Sequence, residues 1–181
     1  MHTFHPAARW SGFLKGISIS VSVLLLGALV VIGVVMPAAT PWPLRLAVML
    51  VPPATVLVAA LFVVRGYAWG DGTLYVRRLL WTTRVPLGAL REARIDPQAG
   101  AGSLRLFGNG GLFVFAGWFR NARLGRYRAF VTDWQRATVL RADTGTVLLS
   151  PADPAGFVRA LQAGMRSRKQ DKPRPRWRQS R

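Results

Sequence analysis

The sequence predicts an α+β membrane protein, in which a hairpin of two transmembrane helices precedes a mainly-β domain that is closed by one C-terminal helix. Three observations lead to this fold class. Two long runs without charged side chains, residues 17–36 and 46–64, occur in the first part of the chain. Short apolar runs separated by Gly, Pro and Asp then recur about every ten residues, which is typical of all-β domains. A helix-start signal follows them at residues 150–153.

The first apolar run, residues 17–36, is long enough to cross a bilayer. As a helix it spans about 30 Å, the thickness of the hydrocarbon core. A cleaved signal peptide is the alternative, because Pro37-Ala38-Ala39 supplies small residues for a peptidase. The run exceeds the core of about 7–15 residues that is usual in such peptides, which favours a retained helix. Residues 1–16 are then a cytoplasmic N-terminus.

The second apolar run, residues 46–64, is bracketed by Arg45 and Arg65. The proline-rich connection, residues 37–45, is too short to be a domain, so we expect an antiparallel helical hairpin with a short external loop. Pro52-Pro53 removes backbone donors in the middle of this run and predicts a kink. Neither run contains an ionisable residue, which favours a membrane anchor over a transport pathway.

The distribution of positive charge predicts the orientation of the hairpin. Arg9 and Lys15 precede the first helix, Arg45 alone lies in the connection, and Arg65 with an Arg-rich domain follows the second helix. By the positive-inside rule, the N-terminus and the C-terminal domain both lie in the cytoplasm. The sequence therefore predicts a multi-pass protein of the inner (plasma) membrane.

A small sheet domain is predicted over residues 66–165. Glycine-containing segments at residues 69–72, 107–111 and 142–145 accept positive φ between apolar runs and favour hairpin turns. Because no Lys-Ser or Lys-Thr pair follows Gly108-Asn109-Gly110, this loop is not expected to bind a nucleotide. The predicted strands cover residues 73–78, 79–85, 91–95, 104–107, 112–119, 124–131, 137–142 and 146–149.

The sheet domain is predicted to end in a helix. Ser150 can cap it, with Pro151 at the first helical position and Asp153 at the third. Phe157 and Leu161 form an apolar stripe that can close one end of the sheet. Beyond it we expect a disordered basic tail, residues 166–181, whose basic residues are Arg166, Arg168, Lys169, Lys172, Arg174, Arg176, Arg178 and Arg181.

Residues 66–164 contain an ordered series of short motifs: Tyr67-Ala68-Trp69-Gly70-Asp71-Gly72-Thr73-Leu74, Arg77-Arg78, Val85-Pro86-Leu87, Arg105-Leu106-Phe107-Gly108, Ala116-Gly117-Trp118-Phe119, Leu124-Gly125 and Ser150-Pro151-Ala152-Asp153-Pro154. In this order they resemble the bacterial pleckstrin-homology-like (PH-like) domains that follow a pair of N-terminal transmembrane helices. The resemblance implies a seven-stranded, strongly bent sheet or partly open barrel that is capped by one C-terminal helix. It implies no single function, because a fold does not fix a function.

The composition restricts the chemistry of the protein. The 181 residues include 25 Lys or Arg against 7 Asp or Glu, for a formal net charge of +18, and no Cys. A disulfide, a thiolate nucleophile and a Cys-ligated metal are therefore excluded. His2 and His5 lie at the N-terminus, so the sheet domain has no His for general base catalysis. The sequence predicts no catalytic residue, cofactor or metal, and favours a non-enzymatic binding protein.

Excess positive charge beside a membrane favours anionic phospholipid as the partner, since each Lys or Arg near the surface contributes about 1 kcal/mol. Eukaryotic PH domains that bind phosphoinositides place basic residues around their first hairpin. By that analogy the first candidates are Arg77, Arg78 and Arg84, around a hairpin predicted at residues 80–83. A second candidate group surrounds the turn between two later strands and consists of Arg120, Arg123, Arg126 and Arg128. The alternative for both groups is a solvated Arg-rich face.

Two other classes of function compete with lipid binding. PH-like domains also bind peptides or self-associate through sheet edges, which would make the protein a scaffold. An exposed surface of Phe113, Phe115, Trp118 and Phe119 would favour this class, although core positions are the first expectation for these aromatic residues. Specific nucleic-acid binding is poorly supported, because no recognition helix is predicted.

Overall fold

The structure, a computed structural model, describes the backbone of residues 4–170 and the side chains of residues 4–165. It begins with two long helices, α1 (Gly12–Val35) and α2 (Trp42–Leu61). They approach each other beside their connection, where Arg45 Nη2 donates to the Gly33 carbonyl (3.5 Å). Both helices are long and apolar enough to cross a membrane, a criterion of length and composition alone.

The bounds of both helices differ from the predicted apolar runs. α1 starts at residue 12 because Ser11 caps it, its hydroxyl accepting the Leu14 N–H (3.2 Å). α2 starts earlier than predicted, with a proline in its first turn, and runs through Pro52 and Pro53. It ends at Leu61, so the last residues of the predicted second span, 62–64, lie outside the helix and Val64 begins a strand.

The domain that follows is a two-sheet sandwich. In residues 4–170 one sheet has four antiparallel strands in the order β1-β2-β3-β4, and the other has six in the order β5-β9-β10-β8-β7-β6, with β8 and β10 parallel. The strands are β1 (Phe4–Pro6), β2 (Val64–Gly70), β3 (Thr73–Arg78), β4 (Thr82–Pro86), β5 (Leu90–Ile95), β6 (Leu104–Gly110), β7 (Phe115–Asn121), β8 (Gly125–Val131), β9 (Thr138–Ala142) and β10 (Gly145–Leu149).

All eight predicted strands are present, β3 with the predicted bounds and the other seven with shifted ends, and β1 and β2 were not predicted. The resemblance implied seven strands in a strongly bent sheet or partly open barrel; residues 4–170 instead contain ten strands, which form two sheets. The core lies between these sheets, where Tyr67, Leu74, Val76 and Phe130 are buried. The outer face of the larger sheet carries a second buried cluster that includes Leu14 of α1 and Tyr127.

Residues 4–11 form an N-terminal strap, which was predicted only as a separate cytoplasmic segment. Its strand β1 pairs with β2, placing His5 opposite Tyr67. Further along, Ala8 N–H donates to the Ser150 carbonyl (2.7 Å), and the Thr132 hydroxyl donates to the Ala8 carbonyl (2.9 Å). The strap thus joins both sheets, and the chain on either side of the helical hairpin belongs to one domain.

The last helix, α3 (Pro154–Gln170), starts later than predicted. Asp153 is its cap, accepting the Gly156 N–H at Oδ1 (2.9 Å), whereas Ser150 is buried and accepts the Thr132 N–H (2.8 Å). Phe157 and Leu161 are buried as predicted. Residues 166–170 continue the helix, so the predicted disordered tail does not begin at residue 166, and its remainder, residues 171–181, lies outside the described residues.

Candidate functional site: an arginine-lined cleft

The first predicted arginine group is divided between two faces of a sheet. Successive residues of a strand point to opposite sides, so Arg77 and Arg78 of β3 diverge. Arg77 is exposed beside the Phe4 ring (5.1 Å to its centroid), and Arg84 is exposed beside the Tyr75 ring (6.0 Å). Arg78 points inward and is only 8% exposed.

The hairpin that carries these residues also differs from the prediction. Its turn comprises residues 79–81, and Thr82 and Thr83 lie in β4. It is the second hairpin of its sheet, because β2 and β3 form the first one with a turn at Asp71 and Gly72. The analogy with the first hairpin of eukaryotic PH domains therefore does not apply to this group.

Arg78 connects the end of α2 to the β3–β4 hairpin. Its Nη1 donates to the Phe62 carbonyl (2.7 Å) and its Nε donates to the Thr83 hydroxyl (2.9 Å). The carbonyl belongs to the C-cap of α2, where the helix dipole is negative and favours a cation. The guanidinium also lies 5.1, 5.9 and 5.5 Å from the ring centroids of Phe62, Trp81 and Phe130.

The second predicted arginine group is divided as well. Arg123 pairs with Asp96 (3.1 Å) and donates to the Gln98 carbonyl (3.0 Å), away from the other members. Arg120 of β7 and Arg126 of β8 are cross-strand partners and both are exposed. Arg128 of β8 is half-buried on the same side as Phe130, whose ring centroid is 5.0 Å from its guanidinium carbon.

One member of each predicted group meets at a cleft, because Arg78 and Arg128 both lie against the Phe130 ring. The cleft has a volume of about 770 Å³ and separates α2 from the β6–β7–β8 part of the larger sheet. We call it the Arg78–Arg128 cleft. The side chains of its walls are mostly apolar and include Val51, Ala54, Val58, Phe62, Phe107 and Trp118.

Both arginines of the cleft carry an uncompensated charge. Burial, and then the nearby Arg128, lower the pKa of Arg78 to about 10, and burial also lowers the pKa of Arg128. Burial raises the pKa of the neighbouring Tyr67 to about 12, so this phenol is neutral at pH 7. Among the ion pairs of residues 4–165, none includes Arg78 or Arg128. The cleft is thus positively charged at neutral pH.

A smaller cleft of about 510 Å³ adjoins the first one. Trp118 and Arg128 line both clefts, and Arg126 lines the smaller one together with Thr144 and Thr146. The Arg126 guanidinium carbon lies 4.4 Å from the Trp118 ring centroid. The positive surface therefore continues from the Arg78–Arg128 cleft toward the exposed side of β8.

Several residues of the cleft were missed by the sequence analysis. The contribution of α2 to its wall could not be found, because that run was interpreted only as a membrane span. Arg78 could have been separated from Arg77 by alternation, since it shares its side of β3 with the buried Leu74 and Val76. The same argument places Arg128 beside Phe130 on β8.

The aromatic surface that would have favoured a scaffold is not formed. Phe115 and Phe119 are 8% and 5% exposed, which confirms their predicted core positions. Phe113 is half-buried beside the Trp10 ring (5.6 Å between centroids), and Trp118 is 36% exposed on the opposite face of β7. Exposed apolar side chains instead occur on the edge strand β6, where Leu104, Leu106 and Phe107 are 73%, 53% and 77% exposed, and at the β3–β4 turn, where Leu80 is 73% exposed.

Comparison with known families gives one match to this part of the chain. A family model described as "Bacterial PH domain" matches residues 65–164. The matched range covers β2 to β10 and most of α3, including both cleft arginines, and leaves out the N-terminal strap and both apolar helices. Comparisons with curated proteins and with solved structures gave no match.

Proposed function

Since the chain belongs to the bacterial PH domain family, we propose that it is a non-enzymatic membrane module that binds anionic phospholipid headgroups in the Arg78–Arg128 cleft. The observation that carries this proposal is a pair of guanidinium groups that have no carboxylate partner within residues 4–165 and lie beside an apolar helix. A phosphate diester supplies the negative charge and the acceptor oxygens that two guanidinium groups favour.

The proposal includes anchoring of the protein in the membrane by α1 and α2. The strap and β2 lie at opposite ends of the helical hairpin and pair with each other, so both ends of the hairpin lie on one side of the membrane. The charge bias assigns that side to the cytoplasm. Removal of α1 as a signal peptide would also remove β1 and the buried Leu14, which supports retention of the first helix.

The test uses the full chain in detergent with equal amounts of phosphatidylglycerol and phosphatidylcholine, and native mass spectrometry to count the lipids retained. We expect the wild-type chain to retain phosphatidylglycerol preferentially. Arg78→Gln with Arg128→Gln should lower this preference about tenfold, because two charge-assisted contacts are lost. Arg77→Gln with Arg84→Gln is the matched control, since it removes the same charge from outward-facing positions.

Equal losses in the two double variants would overturn the site and indicate general attraction by positive charge. Absence of any lipid preference in the wild-type chain would overturn lipid binding itself. Arg128→Gln alone is a second variant, because Arg78 also holds the β3–β4 hairpin to α2 and its loss can disturb folding. Circular dichroism of each variant checks that the fold is retained.

A scaffold that assembles through β6 is the second candidate function. The exposed Leu104, Leu106 and Phe107 lie on an edge strand whose free backbone groups can pair with another strand. Light scattering of the full chain in detergent, with Leu104→Glu and Leu106→Glu as the variant, tests this function. An oligomer that the variant dissociates would support the scaffold, and a wild-type monomer would overturn it.

A further inference from the structure

We propose that the Arg78–Arg128 cleft holds one acyl chain of the bound phospholipid along α2 while the two arginines hold its headgroup. This inference rests on the proposed function and specifies the ligand as an intact membrane lipid rather than a free phosphate compound. The cleft volume of about 770 Å³ lies within the range of sites that enclose small organic ligands.

The wall formed by α2 has the shape that an acyl chain requires. Val51, Ala54, Val58 and Phe62 recur at intervals of three and four residues and therefore form one apolar stripe along the helix. From Val51 to Phe62 the stripe is about 17 Å long at 1.5 Å per residue. This length is close to half of the hydrocarbon core, which is about 30 Å thick, and thus to one leaflet.

Arg78 and Arg128 lie at the end of this stripe that faces the lipid headgroups in the proposed orientation. Arg78 donates to the Phe62 carbonyl at the C-terminal end of α2, and Arg128 lies against the same Phe130 ring as Arg78. In the proposed orientation this end faces the cytoplasmic surface, where phospholipid headgroups lie. An anionic amphiphile aligned with α2 places its negative charge on the arginines and its chain on the apolar stripe.

The wall opposite α2 leaves room for a chain. Gly108 and Gly117 are cross-strand partners in β6 and β7 and line the cleft without side chains. Glycine is required at position 117 by the close approach of the two strands, because an added Cβ would lie 2.1 Å from the Phe107 carbonyl oxygen. Phe107 and Trp118 flank this pair and are 77% and 36% exposed. An acyl chain in the cleft would pack against these two apolar side chains and remove them from water.

The experiment uses the absence of Cys from the sequence, which allows one cysteine to be introduced at a chosen position. Ala54→Cys, within the cleft, and Leu57→Cys, on α2 but outside the cleft lining, each receive a small diazirine label. The labelled chains are placed in nanodiscs of phosphatidylglycerol and phosphatidylcholine at a ratio of one to four, irradiated and examined for crosslinked lipid.

We expect crosslinks from position 54 to be enriched in phosphatidylglycerol at least severalfold over the bulk ratio, and crosslinks from position 57 to follow that ratio. Arg78→Gln with Arg128→Gln should abolish the enrichment at position 54. Val58→Phe, which fills the cleft, should lower phosphatidylglycerol retention severalfold, whereas Leu57→Phe should leave it unchanged.

The outcomes separate this inference from the proposed function. Preferential phosphatidylglycerol retention without enrichment at position 54 would leave headgroup binding intact and overturn the acyl-chain site. Loss of preference in both measurements would overturn both proposals. Crosslinks from position 54 to a second copy of the chain would assign the cleft to self-association and overturn the lipid site.

Discussion

The Arg78–Arg128 cleft contrasts with a second region, formed by Glu92, Arg94, Asp96 and Arg123, which we call the Asp96 corner. Both regions contain arginines, but those of the corner form ion pairs with carboxylates. At the Asp96 corner, Arg94 pairs with Glu92 (3.0 Å) and with Asp96 (3.3 Å), and Arg123 pairs with Asp96 (3.1 Å). In the cleft, Arg78 and Arg128 contact aromatic rings and no described carboxylate. An Arg-rich sequence thus contains both neutralised structural arginines and arginines that are available to an anion.

The local sequence explains why the two regions differ. Glu92 lies within β5, and Asp96 is the first residue after this strand, so the corner has carboxylates beside its arginines. Strands β3 and β8 contain no acidic residue, and their inward-facing arginines meet Phe130 instead. What marks the arginines of the proposed site is therefore that they face apolar neighbours, rather than a high local density of arginine.

Among the changes that test this difference between the two regions, Arg78→Lys is expected to have the largest effect. Lysine keeps the charge but cannot donate to the Phe62 carbonyl and the Thr83 hydroxyl with one planar group. We expect a loss of about 1–3 kcal/mol in the free energy of unfolding, since two part-buried acceptors lose a charged donor. Thermal unfolding in detergent measures it, with Arg123→Lys as the control. An equal effect of both variants would remove the distinction between the regions.

Asp96→Asn is expected to have an intermediate effect, because it removes the carboxylate partner of Arg123, whereas Arg94 keeps its ion pair with Glu92. Two partly exposed ion pairs are lost, and we expect about 1 kcal/mol of destabilisation. Binding to anionic vesicles should increase at low salt and disappear near physiological salt, without a headgroup preference. A new, salt-resistant preference for phosphatidylglycerol would show that unpaired charge suffices without the aromatic cleft.

Arg126→Gln is expected to have a smaller effect. Its guanidinium lies beside the Trp118 ring and lines the smaller cleft, and one Arg near an anionic membrane surface contributes about 1 kcal/mol, or about fivefold in affinity. Titration of phosphatidylglycerol against the full chain measures the change. Arg120→Gln, the cross-strand neighbour that lines neither cleft, should change affinity less, and a larger effect of Arg120→Gln would place the headgroup elsewhere.

A change of pH should have the smallest effect. Arg78, with a pKa of about 10, stays protonated and Tyr67, with a pKa of about 12, stays neutral between pH 6 and 9. Retention of phosphatidylglycerol should therefore vary less than about twofold over this range. It should decrease as the pH rises through about 10, where Arg78 loses its proton. A decrease between pH 9 and 6 would contradict a site formed by arginines alone.

Most of the fold followed from local pattern. Alternating apolar residues and glycine turns predicted β3 to β10, and Phe157 and Leu161 predicted the buried side of α3. Strand β2 was missed because Val64 continues an apolar run that begins inside α2, so no change of pattern marks its start. Strand β1 has only three residues, too few for periodicity, and forms because β2 offers an edge.

The candidate site was predicted only as a set of arginines. Strand alternation contains enough information to place Arg78 and Arg128 on inward sides, but their meeting at Phe130 depends on how two sheets pack. The wall formed by α2 depends on where the domain lies beside the helix. The ion pair between Arg123 and Asp96 joins residues far apart in sequence, so nothing local marks Arg123 as neutralised.

The strap imposes an order on how the protein is made. Ala8 is bonded to Thr132 and Ser150, so its partners emerge from the ribosome long after it does. At about 5–20 residues per second, the chain from Ala8 to Ser150 takes roughly 7 to 30 s to synthesise. Strand β2 is complete at Gly70, before the midpoint of this interval, whereas Ser150 is synthesised only at its end. The hydrogen bonds of Ala8 are therefore among the last of the domain to form, and a folding defect near Thr132 or Ser150 also removes the contacts that hold the strap.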